Sequence, residues 1–210
     1  MRQCHWLLGI ALILVACLCG SRTMAQNAIG AVSRVQGDAS GMLGGTTRAL
    51  APDAPVFLND VVSTGEGARL EVTFVDRTQL TLGERAKLSL DNYVFDPSAG
   101  SGTIKFAVVG AFRFLSGQAS KLASADVNVT TPVATIGIRG TEFWGGPIDD
   151  QVLGVFLIDG AVSVANAAGE QILTQSGQGT NIPSPGAAPG PVTFWAADKV
   201  SRAIATVTFR

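Results

Sequence analysis

The residues of this 210-residue chain best equipped for chemistry are an arginine set among glycines, a scatter of carboxylates and a few aromatic rings. In Gly137-Ile138-Arg139-Gly140-Thr141 the glycines permit a sharp backbone turn, and the Arg139 fork could meet a carboxylate or phosphate. The plainer reading ties Arg139 to an acidic side chain or to carbonyls, locking a turn between two strands. Asp60, Glu66, Glu142 and the adjacent Asp149-Asp150 are the acids that could converge for acid–base work. Glycoside hydrolysis needs two carboxyls facing one another at roughly 5 to 9 Å. Sequence neighbours point to opposite faces of a strand, so solvated or ion-paired acids are the expectation. Asp76-Arg77-Thr78 reads as a turn that satisfies its own backbone. Tyr93, Phe112, Phe114, Phe143, Trp144 and Trp195 could stack on sugar rings. Phe143-Trp144 puts one ring on each face of a strand, which leaves Trp144 either exposed as a contact or covered by the C-terminal tail. Trp195, with Phe194, is either a docking surface or a cover over an open end of the β-domain. Arg139, Thr141, Trp144 and Trp195 are thus the candidate ligand or partner contacts; no catalytic residue, metal ligand or cofactor is expected.

That inventory is short because Cys4, Cys17, Cys19 and His5 all fall in the first nineteen residues. This stretch reads as a secretory signal: Arg2, an apolar run over 7–19, then small residues, with cleavage after Thr23-Met24-Ala25 and before Gln26. The run is too short for a membrane helix, which needs about 20 residues, so no membrane span is expected. Leu14-Val15-Ala16-Cys17 also fits a lipoprotein cleavage box, with a lipid anchor on Cys17 as the alternative. The protein is therefore expected in the periplasm or secreted, or else as a membrane-anchored lipoprotein. Without that segment the chain has neither Cys nor His, which excludes a disulfide framework, a Ser-His-Asp triad and the usual zinc sites. The whole chain carries a formal net charge of −1, which offers no source for nucleic-acid binding.

The elements that must position the candidates are strands. From 29 to 182 short apolar alternations are broken by Gly, Asp, Asn and Pro, with no helical period. Strands are predicted around Leu70-Phe74, Leu80-Leu82 and Leu88-Phe95, and over 104–109, 111–115, 127–131 and 134–138. Asp159-Gly160 predicts a two-residue hairpin between 155–158 and 161–164, and Ala168-Gly169 a second one leading into Ile172 and Leu173. The fold class is all-β: a compact, antiparallel-rich sandwich, barrel or short β-coil stack, with a short C-terminal tail that can be helical. The predicted division is a signal peptide over 1–25, a β-domain over 26–182, a Pro/Gly linker over 183–191 and a capping or docking tail over 192–210. Within the tail a helix is predicted over 193–205 and a strand over 206–210.

Three stretches carry a family resemblance. The first is Asn59-Asp60-Val61-Val62-Ser63-Thr64-Gly65-Glu66-Gly67-Ala68-Arg69-Leu70, followed by Phe74, Asp76, Thr78 and the Leu80/Leu82 pair. The second is Val109-Gly110-Ala111-Phe112-Arg113-Phe114-Leu115-Ser116-Gly117, and the third Thr131-Pro132-Val133-Ala134-Thr135-Ile136-Gly137-Ile138-Arg139-Gly140-Thr141. Together, across 29–182, they resemble the FecR-domain family of exported bacterial proteins. The resemblance implies an all-β periplasmic domain without known enzymatic activity. Its best-understood members are transmembrane regulators with a cytoplasmic anti-sigma segment and a C-terminal part that receives a signal from an outer-membrane transporter. Here six residues precede the apolar run and nineteen follow Pro191, so a stand-alone member is expected. Its expected function is a non-enzymatic binding or sensory module of the cell envelope, with an envelope protein or glycan as partner. The alternatives are a structural accessory subunit of an envelope complex and a peptidoglycan- or carbohydrate-binding protein.

Overall fold

The computed structural model describes residues 27–210; the predicted export signal, including Cys17, lies outside them. The chain runs through β1 (Ala28–Gln36), β2 (Ala39–Leu43), β3 (Thr46–Ala49), β4 (Pro55–Phe57), β5 (Val61–Thr64), β6 (Arg69–Phe74), β7 (Gln79–Leu82) and β8 (Lys87–Asp96). It continues through β9 (Ser101–Val109), β10 (Phe112–Leu115), a 3-10 turn (Ala119–Lys121), β11 (Ser124–Thr130), β12 (Thr135–Ile148), β13 (Gln151–Asn166), β14 (Gly169–Leu173), β15 (Gln178–Ile182), β16 (Thr193–Phe194) and α1 (Ala197–Ala205). The all-β reading is correct, and the alternation that led to it is visible in the burial. In β6, Leu70, Val72 and Phe74 turn inward; in β9, Ile104, Phe106 and Val108 do the same.

All sixteen strands belong to one sheet, antiparallel throughout except for the pairing of β9 with β11. The sheet curls because β12 and β13 bend together. The first part of β12, Thr135 to Arg139, lies between β11 and the second part of β13. Its second part, Glu142 to Gly146, lies between β10 and the first part of β13. One half of the sheet is therefore β3-β2-β5-β8-β9-β11 and the other β10-β7-β6-β1-β4, joined by the bent ribbon. The halves face each other across one apolar core, in which Phe74 of β6 meets Phe106 of β9 at 4.8 Å between ring centroids.

The bend corrects two expectations. Asp159-Gly160 is not a hairpin turn, and Gly137 to Thr141 is not a turn between strands; both lie inside long strands. Gly160 (φ +85°) sits across from Gly140 (φ +54°), where the β12·β13 register slips. A Cβ on Gly160 would come within 2.4 Å of the Gly140 carbonyl, so two backbones meet where side chains would keep them apart. The actual hairpin turn of this ribbon is Asp149-Asp150, with φ of +50° and +60°, the signs a two-residue primed turn requires. The second hairpin is present, with its turn at Ala167-Ala168, one residue earlier than the predicted Ala168-Gly169, and β13 and β14 paired from Asn166↔Gly169 onward. The tail has its helix, shorter than predicted, but residues 206–210 form no strand. Val207 is instead drawn into a second apolar cluster, and the Phe209 ring lies under the Arg34 guanidinium at 4.1 Å. No helix among the described residues is long and apolar enough to cross a membrane.

Candidate functional site

Asp60, Glu66, Glu142 and Asp149 do not converge, because each has its own partner. Asp60 is fully buried and takes both terminal nitrogens of Arg48, Nη1 at 2.8 Å, and the Phe57 amide at 2.8 Å. The Arg48 pKa is raised, first by this hydrogen bond to Asp60. Glu66 pairs with Arg85, Glu142 with Arg113, and Asp149 with Arg202 and Lys199 of α1. Among the described residues no three His, Cys, Asp or Glu side chains are grouped as metal ligands. Asp76 is also fully buried. It accepts from Thr78 Oγ1 at 2.7 Å, Tyr93 Oη at 2.8 Å, and the Thr78 and Ala119 amides at 3.1 Å. Burial first, then the Asp76 charge, holds the Tyr93 hydroxyl well above its ordinary range. A Cβ on Gly117 would sit 2.4 Å from the Asp76 carbonyl, so the loop after β10 closes onto this turn only with glycine there. Asp76-Arg77-Thr78 is thus the turn the sequence suggested, extended into a network that fastens β6, β8 and the loop after β10.

The candidate tryptophans Trp144 and Trp195 meet each other. Trp144 is 0% exposed, so the exposed placement is excluded and the covering tail is what the structure contains. Both Phe143 and Trp144 are buried because α1 supplies a second core for the outer face of β12 and β13. Trp144 donates from Nε1 to Thr206 Oγ1 at 3.0 Å and meets Trp195 edge-on at 6.1 Å. Trp195 stacks on Phe156 at 5.4 Å, and its seat is made of missing side chains. Cβ atoms on Gly179 and Gly154 would lie 2.3 and 2.9 Å from the indole. Asp149 anchors α1 through its ion pairs, and its pKa is lowered, first by the Arg202 hydrogen bond. Thr141 is 3% exposed. It is a corner pin whose hydroxyl donates to the Asp159 carbonyl and whose amide donates to Ser116 Oγ at 2.8 Å.

Of the four candidates only Arg139 reaches the surface as a free group. It is exposed at the end of the first part of β12, and the expected tie to an acid or carbonyl is absent among the described residues. The nearest acid by register is Asp126: two residues along from the Asn128↔Gly137 pair, it comes level with Arg139. Its carboxylate is committed elsewhere, to Lys105 at 3.0 Å and to the Asn128 amide.

Arg139 lines a groove of about 800 Å³ that crosses β11, β12, β13 and β14 on the outer face. Its floor is made of small residues, Ala125, Gly137, Ala161 and Ser163, and a Cβ on Gly137 would come 2.7 Å from Ser163 Oγ. Leu122 stands at one end, Glu170 and Ile172 at the other. Ser163 Oγ and the exposed Glu170 carboxylate join Arg139 as polar groups without a protein partner among the described residues. The arrangement offers one cation, one anion and one hydroxyl along a trough without aromatic rings. It can hold an extended chain by a carboxylate; the second acid that lines it, Asp126, is tied to Lys105 and the Asn128 side chain, and no aromatic ring lines it for sugar stacking. A second recess, of about 360 Å³ between Val109, Pro132, Pro147 and Val152, is apolar and has no charged group to orient a ligand.

Ser163, Glu170 and Asn128 were not identifiable as site residues from sequence. They are ordinary strand residues, brought beside Arg139 only by register across four strands.

Comparison with known proteins agrees with this architecture. A family model described as FecR protein matches residues 60–163. Two crystal structures of a candidate anti-sigma factor from Parabacteroides distasonis are similar in fold, with TM-scores of 0.56 and 0.54, each at 16% identity. Each alignment covers 69% of this chain and 63% or 64% of the other, under two thirds of its length. No curated protein matches the chain. The matched segment starts at Asp60 and ends at Ser163, so it includes the Asp76 network and most of the groove, while the Asp60 partners Arg48 and Phe57 precede it.

Proposed function

We propose, from the premise that residues 60–163 are a FecR domain, that this chain is a non-enzymatic recognition module of the bacterial envelope. It is exported, and it binds through the groove around Arg139. The observation that carries the reading is the contrast in partners: Asp60, Glu66, Glu142, Asp149 and the other candidate residues are engaged within the protein, whereas Arg139 is exposed and free beside a trough wide enough for a ligand. A guanidinium left unpaired on a rigid strand can form a bidentate contact without first breaking an internal bond. The ligand it suits is an extended segment with a carboxylate, such as an acidic peptide of another envelope protein.

The alternative of a docking tail has less to work with, since Trp195 is engaged internally and Phe194, at 66% exposure, is the tail's one large exposed ring among the described residues. Site-specific photocrosslinking in the cell tests the reading. A photoreactive residue replacing Ala161, on the groove floor, is expected to trap a discrete adduct. The same group replacing Thr73, on β6 of the other half, is expected to trap none. An equal yield from both positions, or adducts from Phe194 alone, would overturn it.

A further inference from the structure

The sheet ends at four strands with a neighbour on one side only: β3, β4, β14 and β16. Sheets protect such edges by shortness, proline, charge or bulges, because unpaired amides and carbonyls accept any extended chain. Three of the four are protected in this way. β16 has two residues; β4 has three and begins with Pro55. β3 carries no large apolar side chain, and its Arg48 turns back to Asp60 and the Pro55 carbonyl.

β14 is the least defended, with the single charge of Glu170 and neither proline nor bulge. It is five residues long, contains no proline or basic residue, and pairs with β13 in an unbroken register from Asn166↔Gly169 to Val162↔Leu173. No backbone hydrogen bond reaches its other side among the described residues. Its outward side chains are Glu170, without a partner, and Ile172, which is 59% exposed. The linker that follows β15 comes close only at the Gly169 end, where Asn166 Nδ2 holds the Ala187 carbonyl at 2.7 Å.

We propose that β14 is a strand-addition site for an extended segment of a partner protein. A vacant ladder is chemically complementary to one thing, another extended backbone, and five residues at about 3.4 Å each match a short segment. The side chains of β14 specify the occupant further: a basic residue beside Glu170 and an apolar one beside Ile172, two positions apart and so on the same face. The site adjoins the Arg139 groove, whose far end Glu170 and Ile172 form, but its main-chain bonds come from the free edge of β14 and not from Arg139.

Random dodecapeptides displayed on phage and panned against the full chain test this, with affinities of the recovered peptides read by fluorescence anisotropy. The expected result is a set of alternating sequences with Lys or Arg two positions from an apolar residue. Their binding falls at least tenfold in Ile172→Lys, and Glu170→Lys selects acidic in place of basic residues. Both substitutions are at exposed positions, and unchanged melting temperatures would verify that the fold is intact. Failure to enrich any pattern overturns the proposal, as does equal binding to Ile172→Lys. Peptides lost in Arg139→Ala but retained in Ile172→Lys would assign recognition to the groove alone and overturn the edge.

Discussion

Asp76 and Arg139 lie in the same segment that the FecR family model matches, and their surroundings could hardly differ more. The Asp76 carboxylate is fully buried and accepts four hydrogen bonds from three parts of the chain. Arg139 is exposed, with no partner among the described residues. A buried charge must be satisfied internally, since leaving it unpaired costs several kcal/mol, whereas an exposed one is satisfied by water and can exchange that water for a ligand. Asp60 follows the rule of Asp76, and Glu170 and Ser163 that of Arg139. The charged groups that hold the fold are therefore separate from those available for recognition. Substitutions should divide into those that move stability and those that move binding.

The largest stability effect is expected at the Asp76 network. Asp76→Ala leaves the Tyr93 hydroxyl and buried amides without an acceptor, and should cost about 4 kcal/mol, read as a loss of about 10 °C or more in melting temperature. Asp76→Asn, which keeps the shape, should lose less. Trp195→Ala comes next, at about 2 kcal/mol, because the ring is half-buried over Gly154 and Gly179. Hydrogen exchange in α1 should accelerate in that variant while β6 to β8 remain protected. A uniform loss of protection would show that the tail is not a separate second core.

The pH dependence of the tail follows from Asp149. Its pKa lies below the ordinary 3.8 because the folded state favours the carboxylate through Arg202 and Lys199. Its contribution is complete above the unfolded value and disappears as pH falls through the folded one, so protection of α1 should be flat above about pH 4 and decline below it. Asp149→Asn should weaken that dependence and leave the share of Asp198, whose pKa is lowered first by its own hydrogen bond to Arg202. Arg139→Ala should have the smallest stability effect, within about 0.5 kcal/mol of the parent, and the largest effect on binding.

How much of this was legible in the sequence depended on distance along the chain. Leu70, Val72 and Phe74 announced β6 because alternation is local. The network of Asp76 was visible only as its local part, the bond to Thr78, since Tyr93 arrives from β8 and Ala119 from the 3-10 turn after β10. Asp159-Gly160 was misread for a physical reason. A glycine with positive φ serves a tight turn and a bulge equally, and what decides between them is Gly140, twenty residues earlier, facing it across the ribbon. The true turn, Asp149-Asp150, lacked glycine altogether and relied on the tolerance of aspartate for the left-handed region. Arg139 could be singled out by its glycines. That it is unpaired could not, because this depends on Asp126 turning to Lys105 instead.

The separation of fold from recognition is tested most directly by one paired measurement on Arg139→Ala: photocrosslinking from Ala161 and the melting temperature, each against the parent chain. The account predicts that the crosslinked adduct disappears while the melting temperature stays within about 2 °C. An undiminished adduct, or a loss of stability comparable to that of Asp76→Ala, would contradict it.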